Sequence, residues 1–242
     1  MKIMSLNVNN FAGVKCKEEY KEKNMLAEWK KLDKTQQATS ILAYIQKVKP
    51  VITILHEFEL NTEIANKFID SMNLLGYVIV PYENFNYINP SITIVFTKKE
   101  LLYERLVNPH KEKSLRATVL KTADCIVYGV HIPQKYDEVF WEELIDYYKQ
   151  HKEQKIVIIG DYNVFDFGTK QKEKYLQLVA LNAVDVWLES GHPNETKTHI
   201  KGKRLDYAFM SPVLFKCFYN MSIDTYLMEN GKTDHAALII EI

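Results

Sequence analysis

Short apolar runs along the chain alternate with stretches whose apolar residues recur three and four positions apart. The runs "KIMSL" near the start, "VITILHEF" from Val51, "YVIVPY" from Tyr77, "SITIVFT" from Ser91, "LRATVLK" from Leu115, "CIVYGVHI" from Cys125, "KIVIIGD" from Lys155, "RLDYAFMS" from Arg204 and the terminal "AALIIEI" predict β-strands. Within "KIVIIGD" the residues Val157, Ile158 and Ile159 are apolar without alternation, as in a strand covered on both faces. The segments "TQQATSILAYIQKV", "NTEIANKFIDSMNLL", "DEVFWEELIDYYKQHK" and "KQKEKYLQLVALNAV" carry the spacing of half-buried helices. Hairpin-like strand neighbours mixed with crossover helices predict an α/β (α+β) chain whose mixed sheets are covered by helices. The lysine-rich piece from Lys15 to Lys34 interleaves acidic residues, so it reads as a solvated helix or loop rather than a nucleic-acid arm.

Length and composition narrow this picture. The 242 residues, 47% hydrophobic, suffice for one large α/β domain or two small ones. No Ser/Gly/Pro-rich linker divides them, and a single domain over 1–242 is expected. Basic and acidic residues balance at 31 each, which gives no bulk attraction to nucleic acid or acidic membrane and leaves room for a local basic patch. The arginines are few, Arg105, Arg116 and Arg204, and are candidates for positions that need a fixed guanidinium fork. Cys16, Cys125 and Cys217 form no CxxC pair, which argues against a disulfide framework or structural zinc and fits the reducing cytoplasm. No apolar segment is long enough to span a bilayer, and the first residues lack a signal-peptide core. No membrane and no obligate protein partner is expected.

Polar residues recur where the apolar runs stop. Asn7 and Asn9 follow the first run, Glu57 closes the second, His131 ends "YGVHIP", and Gly160, Asp161 and Asn163 end "KIVIIGDYN". Asp206 lies in "RLDYAF", and Asp234 with His235 precedes the last run. Each has a bland explanation alone, as a turn residue or a satisfied core histidine. Together they are too rich in metal-ligand and acid/base types for independent turns, and predict an active site at the strand ends.

The residue types suggest the chemistry. Carboxylates Glu57, Asp161 and Asp234, with carboxamides Asn7 and Asn163, make an oxygen-rich set suited to a hard divalent cation such as Mg2+, with Mn2+ as a substitute. A hard ion beside histidines suits hydrolysis of a phosphate ester. There is no GxSxG, no Cys/His nucleophile pair and no GxxxxGKS/T loop.

The chain also resembles a known family, the endonuclease/exonuclease/phosphatase superfamily that includes deoxyribonuclease I, exonuclease III and the neutral sphingomyelinases. The resemblance rests on "LNVNNF", "LHEFE", "YGVHIP", "IIGDYNV", "KRLDYAFMS" and "KTDHAAL", which follow the family's order from the first residues to the last. It implies a four-layer sandwich of two packed mixed β-sheets flanked by helices. It further implies Glu57 as the principal Mg2+ ligand, Asn7 assisting at metal or phosphate, and Asp234 supporting the metal side. Asp161 would activate water, Asn163 would donate to a phosphate oxygen, and His235, held by Asp206, would contact the phosphate and transfer a proton.

Departures from the family pattern bear on substrate. His56 stands where many members have glutamine, and Asn9 where some have an aspartate ligand. His131 resembles deoxyribonuclease I and the sphingomyelinases, whereas abasic-site enzymes tend to have tyrosine there, and Glu83 stands where deoxyribonuclease I has the partner of that histidine. The stretch from Ser190 to Lys203 is short and polar, and backbone contacts are expected from lysines and from Arg204. The reading is a Mg2+-dependent phosphodiesterase, a nuclease acting on DNA or RNA with little sequence preference. The alternative is a phosphatase or phosphodiesterase acting on a small phosphorylated molecule or lipid headgroup.

Overall fold

The computed structural model describes residues 1–14, 33–82, 91–164 and 169–242. Most of the lysine-rich piece, Cys16 and Glu83 lie outside the described residues. Numbered in chain order, the first sheet holds β1 (Lys2–Asn7), β2 (Ile52–Glu59), β3 (Tyr77–Ile79), β4 (Ser91–Lys98), β11 (Asn220–Asp224) and β12 (Ala237–Glu241). The second holds β5 (Tyr103–Arg105), β6 (Ala117–Thr122), β7 (Ile126–His131), β8 (Ile156–Asp161), β9 (Val184–Asp185) and β10 (Asp206–Met210). Their orders are β11-β12-β1-β2-β4-β3 and β5-β6-β7-β8-β10-β9, and both sheets are mixed.

Alternation along the strands sorts side chains between layers. Ile3 of β1, Ile54 of β2, and Val157 and Ile159 of β8 meet between the two sheets, while Met4, Leu6 and Leu55 face outward under helices α1 (Lys34–Val48) and α2 (Glu63–Leu74). Ile156 and Ile158 of β8 turn outward beneath α3 (Glu138–His151) and α4 (Lys170–Ala180), with Trp141, Leu144 and Leu178. The result is the four-layer sandwich expected, and β8 is buried on both faces. The sheets approach closely where Gly129 faces Ile54, since a Cβ on the glycine would lie 2.7 Å from that side chain.

The helices begin where their caps allow. Asp33, Thr62, Asp137 and Thr169 each accept a backbone N–H from the first turn of α1 to α4. Three short helices follow, α5 (Val186–Glu189), α6 (Pro212–Phe215) and α7 (Tyr226–Glu229). Two strand expectations shorten: β3 ends at Ile79, ahead of Pro81, which lacks a ladder donor, and Leu115 and Arg116 form a 3-10 turn before β6 starts at Ala117. The strands β5, β9 and β11 had no signal in the apolar pattern, being short or edge elements with mixed exposure. Among the described residues no helix is long and apolar enough to cross a membrane.

Candidate active site

Strand direction gathers the polar residues. The parallel pairs β1/β2 and β7/β8 end together, with Asn7 opposite His56 and His131 opposite Asp161. The antiparallel strands β10 and β12 begin where those pairs end, so Asp206 sits opposite Asp161 and His235 enters beside β1. One edge of the sandwich thus carries side chains from both sheets. They surround a cleft of about 310 Å3 lined by Glu57, Arg116, His131, Asp161, Asn163, Asp234 and His235, with Gln134, His199, Lys201 and Leu205.

Local backbone aims the key groups. The register of β2 against β4 shifts between Leu55 and Phe58, and within this bulge Glu57 takes a φ of 52°, which turns its carboxylate toward the cleft. His56 is thereby sent inward, fully buried between Ser5 Oγ at 2.9 Å and Thr93 Oγ1 at 3.1 Å, and burial lowers its pKa to about 3. Gly160 is required just before Asp161: a Cβ there would lie 1.8 Å from the Val130 carbonyl oxygen and 2.9 Å from His56 Nε2. The polar residues after "KIVII" therefore follow a glycine that admits close backbone contact and then present Asp161 and Asn163 to the cleft.

Asp161 is the hub. It accepts from Asn7 Nδ2 at 3.1 Å and from the Asn163 N–H at 3.0 Å, and its Oδ2 lies 3.7 Å from both His131 Nε2 and His235 Nε2. Burial lifts its pKa above the usual carboxylate range, aided by Asp206 and opposed by His235 and by its hydrogen bonds. Burial works against the imidazolium of His235, but the carboxylates of Asp206 and Asp161 outweigh it and raise its pKa. His131 moves the other way: burial, then Arg116 and the neighbouring histidines, keep it neutral. Arg116 Nη1 lies 3.3 and 3.4 Å from the two ring nitrogens of His131, as for a guanidinium over the ring.

Several expected residues have different partners from those the motifs implied. Arg204, expected at substrate, is 6% exposed and grips Asp185 through both terminal nitrogens, at 3.0 and 2.7 Å, with Asn194 as a third partner. Asp185 is the buried carboxylate that captures it, and Arg116 is the arginine that lines the cleft. Asn7, expected at metal or phosphate, is 1% exposed; its Oδ1 accepts from Asn9 N at 2.9 Å and its Nδ2 serves Asp161, so it orients that carboxylate. Asn163 lines the cleft, with one amide N–H donated to the Ile132 carbonyl at 2.9 Å. Asp206 lies behind the cleft, its Oδ2 2.8 Å from His235 Nδ1.

His199 and Arg116 were not singled out as site residues. The arginine count was the available signal for Arg116, whereas His199 sits in a loop without periodicity. Asp234 groups with His199 and His235, and Glu57 with His131 and Asp161, the ligand atoms of each trio lying within 4.8 Å of one another. Asp234 Oδ1 is buried without a hydrogen-bond partner among the described residues, and Glu57 has an imidazole 3.6 Å away. The carboxylates of these trios, Glu57 and Asp234, fit a hard divalent cation that keeps part of its water shell.

No protein-family description matches the chain, and no curated protein does. Solved structures do. An AP endonuclease from Archaeoglobus fulgidus aligns at a TM-score of 0.70 and 18% identity, covering 100% of this chain and 99% of that one. A 3'-5' exonuclease from Neisseria meningitidis aligns at 0.71 and 14% identity with the same coverage, and an AP endonuclease from Leishmania major at 0.69 and 13%, covering 99% and 86%. The chain has the deoxyribonuclease I-like fold. In this chain the two sheets deliver the cleft residues from opposite sides, and the chemistry resides in those residues rather than in the fold.

Proposed function

We propose that the protein is a divalent-cation-dependent phosphodiesterase that cleaves the backbone of DNA or RNA with little sequence preference. The observation that carries this reading is the convergence of Glu57, Asp161, His235 and Arg116 on one cleft where both sheets end. The endonuclease and exonuclease neighbours support it, and a 3' phosphatase from Neisseria bound to a product DNA hairpin supports a nucleic-acid substrate.

Glu57 and the neighbouring oxygen donors would hold Mg2+, with Mn2+ as a substitute. Once bound, such an ion neutralises phosphoryl charge and lowers the pKa of water. Asp161, with its raised pKa, takes the proton of the attacking water. Asn7 and the Asn163 N–H fix the orientation of that carboxylate. Arg116 and the side-chain amide of Asn163 meet non-bridging phosphate oxygens. His235, charged and held by Asp206, faces the phosphate and supplies a proton to the departing oxygen.

The test is a screen of the purified protein on plasmid DNA, RNA, bis(p-nitrophenyl) phosphate and a phosphomonoester, with Mg2+ or with chelator. Hydrolysis of nucleic acid and of the generic diester, abolished by chelator and by Glu57→Ala, is the expected result. Full activity in chelator would sink the proposal. A second reading, a small phosphoester substrate, is favoured by the cleft volume of about 310 Å3, near the lower end for small-molecule pockets. Activity on the small esters alone would select it.

A further inference from the structure

His199 belongs to none of the motifs that mark the cleft. It enters on the loop between α5 and β10, where it pairs with Lys203 on one side and His235 on the other. Ile200 N donates to the Asp234 carbonyl at 2.9 Å and Ala236 N to the Thr198 carbonyl at 2.8 Å, which fixes this loop to the segment leading into β12. The His199 side chain is 8% exposed and lines the cleft.

Its tautomer follows from one bond. Nδ1 accepts the Lys201 backbone N–H at 3.0 Å, so that lone pair is in use and the ring proton sits on Nε2. Nε2 lies 3.6 Å from Asp234 Oδ2, beyond hydrogen-bond distance, so the proton is attracted by that carboxylate without being consumed. A metal ion takes an imidazole through a lone pair, which Nε2 lacks in this tautomer. A phosphate oxygen takes it through the proton.

We propose that His199 contacts substrate as a hydrogen-bond donor, placing Nε2–H on an oxygen of the phosphoryl group that His235 also meets. This deepens the phosphodiesterase reading and rests on it. The two rings meet edge to face, with centroids 4.7 Å apart and planes at 73°. The ligand atoms of His199, Asp234 and His235 lie within 4.8 Å of one another. Two oxygens of one phosphoryl group span such a gap when each sits at hydrogen-bond distance from its donor. The Asp234 carboxylate, 3.6 Å from Nε2, polarises the His199 donor from the side.

His199→Leu removes the donor and preserves bulk, whereas His199→Gln restores an N–H near the position of Nε2. On bis(p-nitrophenyl) phosphate, kcat should fall by at least about tenfold in the leucine variant. Most of that loss should return in the glutamine variant, with the Mg2+ concentration for half activation unchanged and both variants melting like wild type. Wild-type kcat in the leucine variant, rescue of it by excess Mg2+, or a folded glutamine variant as slow as leucine would each overturn the assignment. A readout independent of turnover is the side-chain 15N resonance of His199 in chelator: added inorganic phosphate should shift it, and its staying unmoved would also overturn the proposal. A wild-type protein inert toward every phosphoester in Mg2+ would instead strike the phosphodiesterase reading.

Discussion

His235 Nδ1 lies 2.8 Å from Asp206 Oδ2, with side chains only 5% and 3% exposed. The spacing is set by the ladder, because Asp206 stands opposite Asp161 across the β10/β8 pair, and the ring therefore spans two carboxylates of fixed separation. Asp206→Asn keeps the shape and removes the charge that favours the imidazolium. It should lower kcat by about 10- to 100-fold with little change in KM. His235→Ala should lower it further, and steady-state kinetics with both variants unaffected would place the pair outside the chemistry.

Two arginines should respond in opposite ways. Arg204→Ala strands the buried carboxylate of Asp185, and denaturant unfolding should show a loss of about 3–5 kcal/mol, with the folded fraction turning over normally. Arg116→Ala removes a charged donor from the cleft wall and should raise KM by about tenfold or more, with a melting temperature close to wild type. The reverse pattern would return Arg204 to the substrate.

Acid sensitivity should trace in part to a histidine far from the cleft chemistry. His110 is 1% exposed, stacks on Phe140 at 3.6 Å, and hydrogen-bonds Glu143 and the Tyr128 hydroxyl. Burial lowers its pKa from 6.5 to about 3. As pH falls through 6.5 the unfolded chain takes up this proton while the folded one does not, so stability present above 6.5 is lost progressively toward pH 3. The slope is at most about 1.4 kcal/mol per pH unit. Urea unfolding across that window should give a flatter pH dependence for His110→Phe than for wild type, and parallel curves would exonerate His110.

Cleavage of DNA should show no strong preference for an abasic site. Accepting an extruded sugar requires a pocket whose contacts offset a few kcal/mol of unstacking. Among the described lining residues only Leu205 is apolar, and the loop wall is made by His199 and Lys201. Matched duplexes with and without an abasic site should be cut at similar rates that fall with added salt. A preference of about 100-fold, nearly 3 kcal/mol of discrimination, would contradict this.

Much of the fold was legible in the order of residues because its cause is local. Runs such as "KIVII" are buried on both faces, and helices such as Lys34–Val48 bury one stripe, so period and length announce them. The strand-end position of His131 and Asp161 was legible for the same reason: an apolar run that stops on an acid or an imidazole shows where the sheet ends, whereas Glu57 lies in a bulge within β2, two residues short of its end, and His235 stands just ahead of β12. The edge strands Tyr103–Arg105 and Asn220–Asp224 were not, since an edge is defined by its neighbour rather than by its own pattern. That Arg204 would be held behind the cleft was decided when Asp185, nineteen residues before it, folded onto it. Asn7 became the orienter of Asp161, and His199 a wall of the cleft, only when β8 and the 198–203 loop were packed against the first sheet. Periodicity encodes which face of an element is buried. It does not encode which polar partner, distant along the chain, a side chain will meet, and that choice belongs to the tertiary structure.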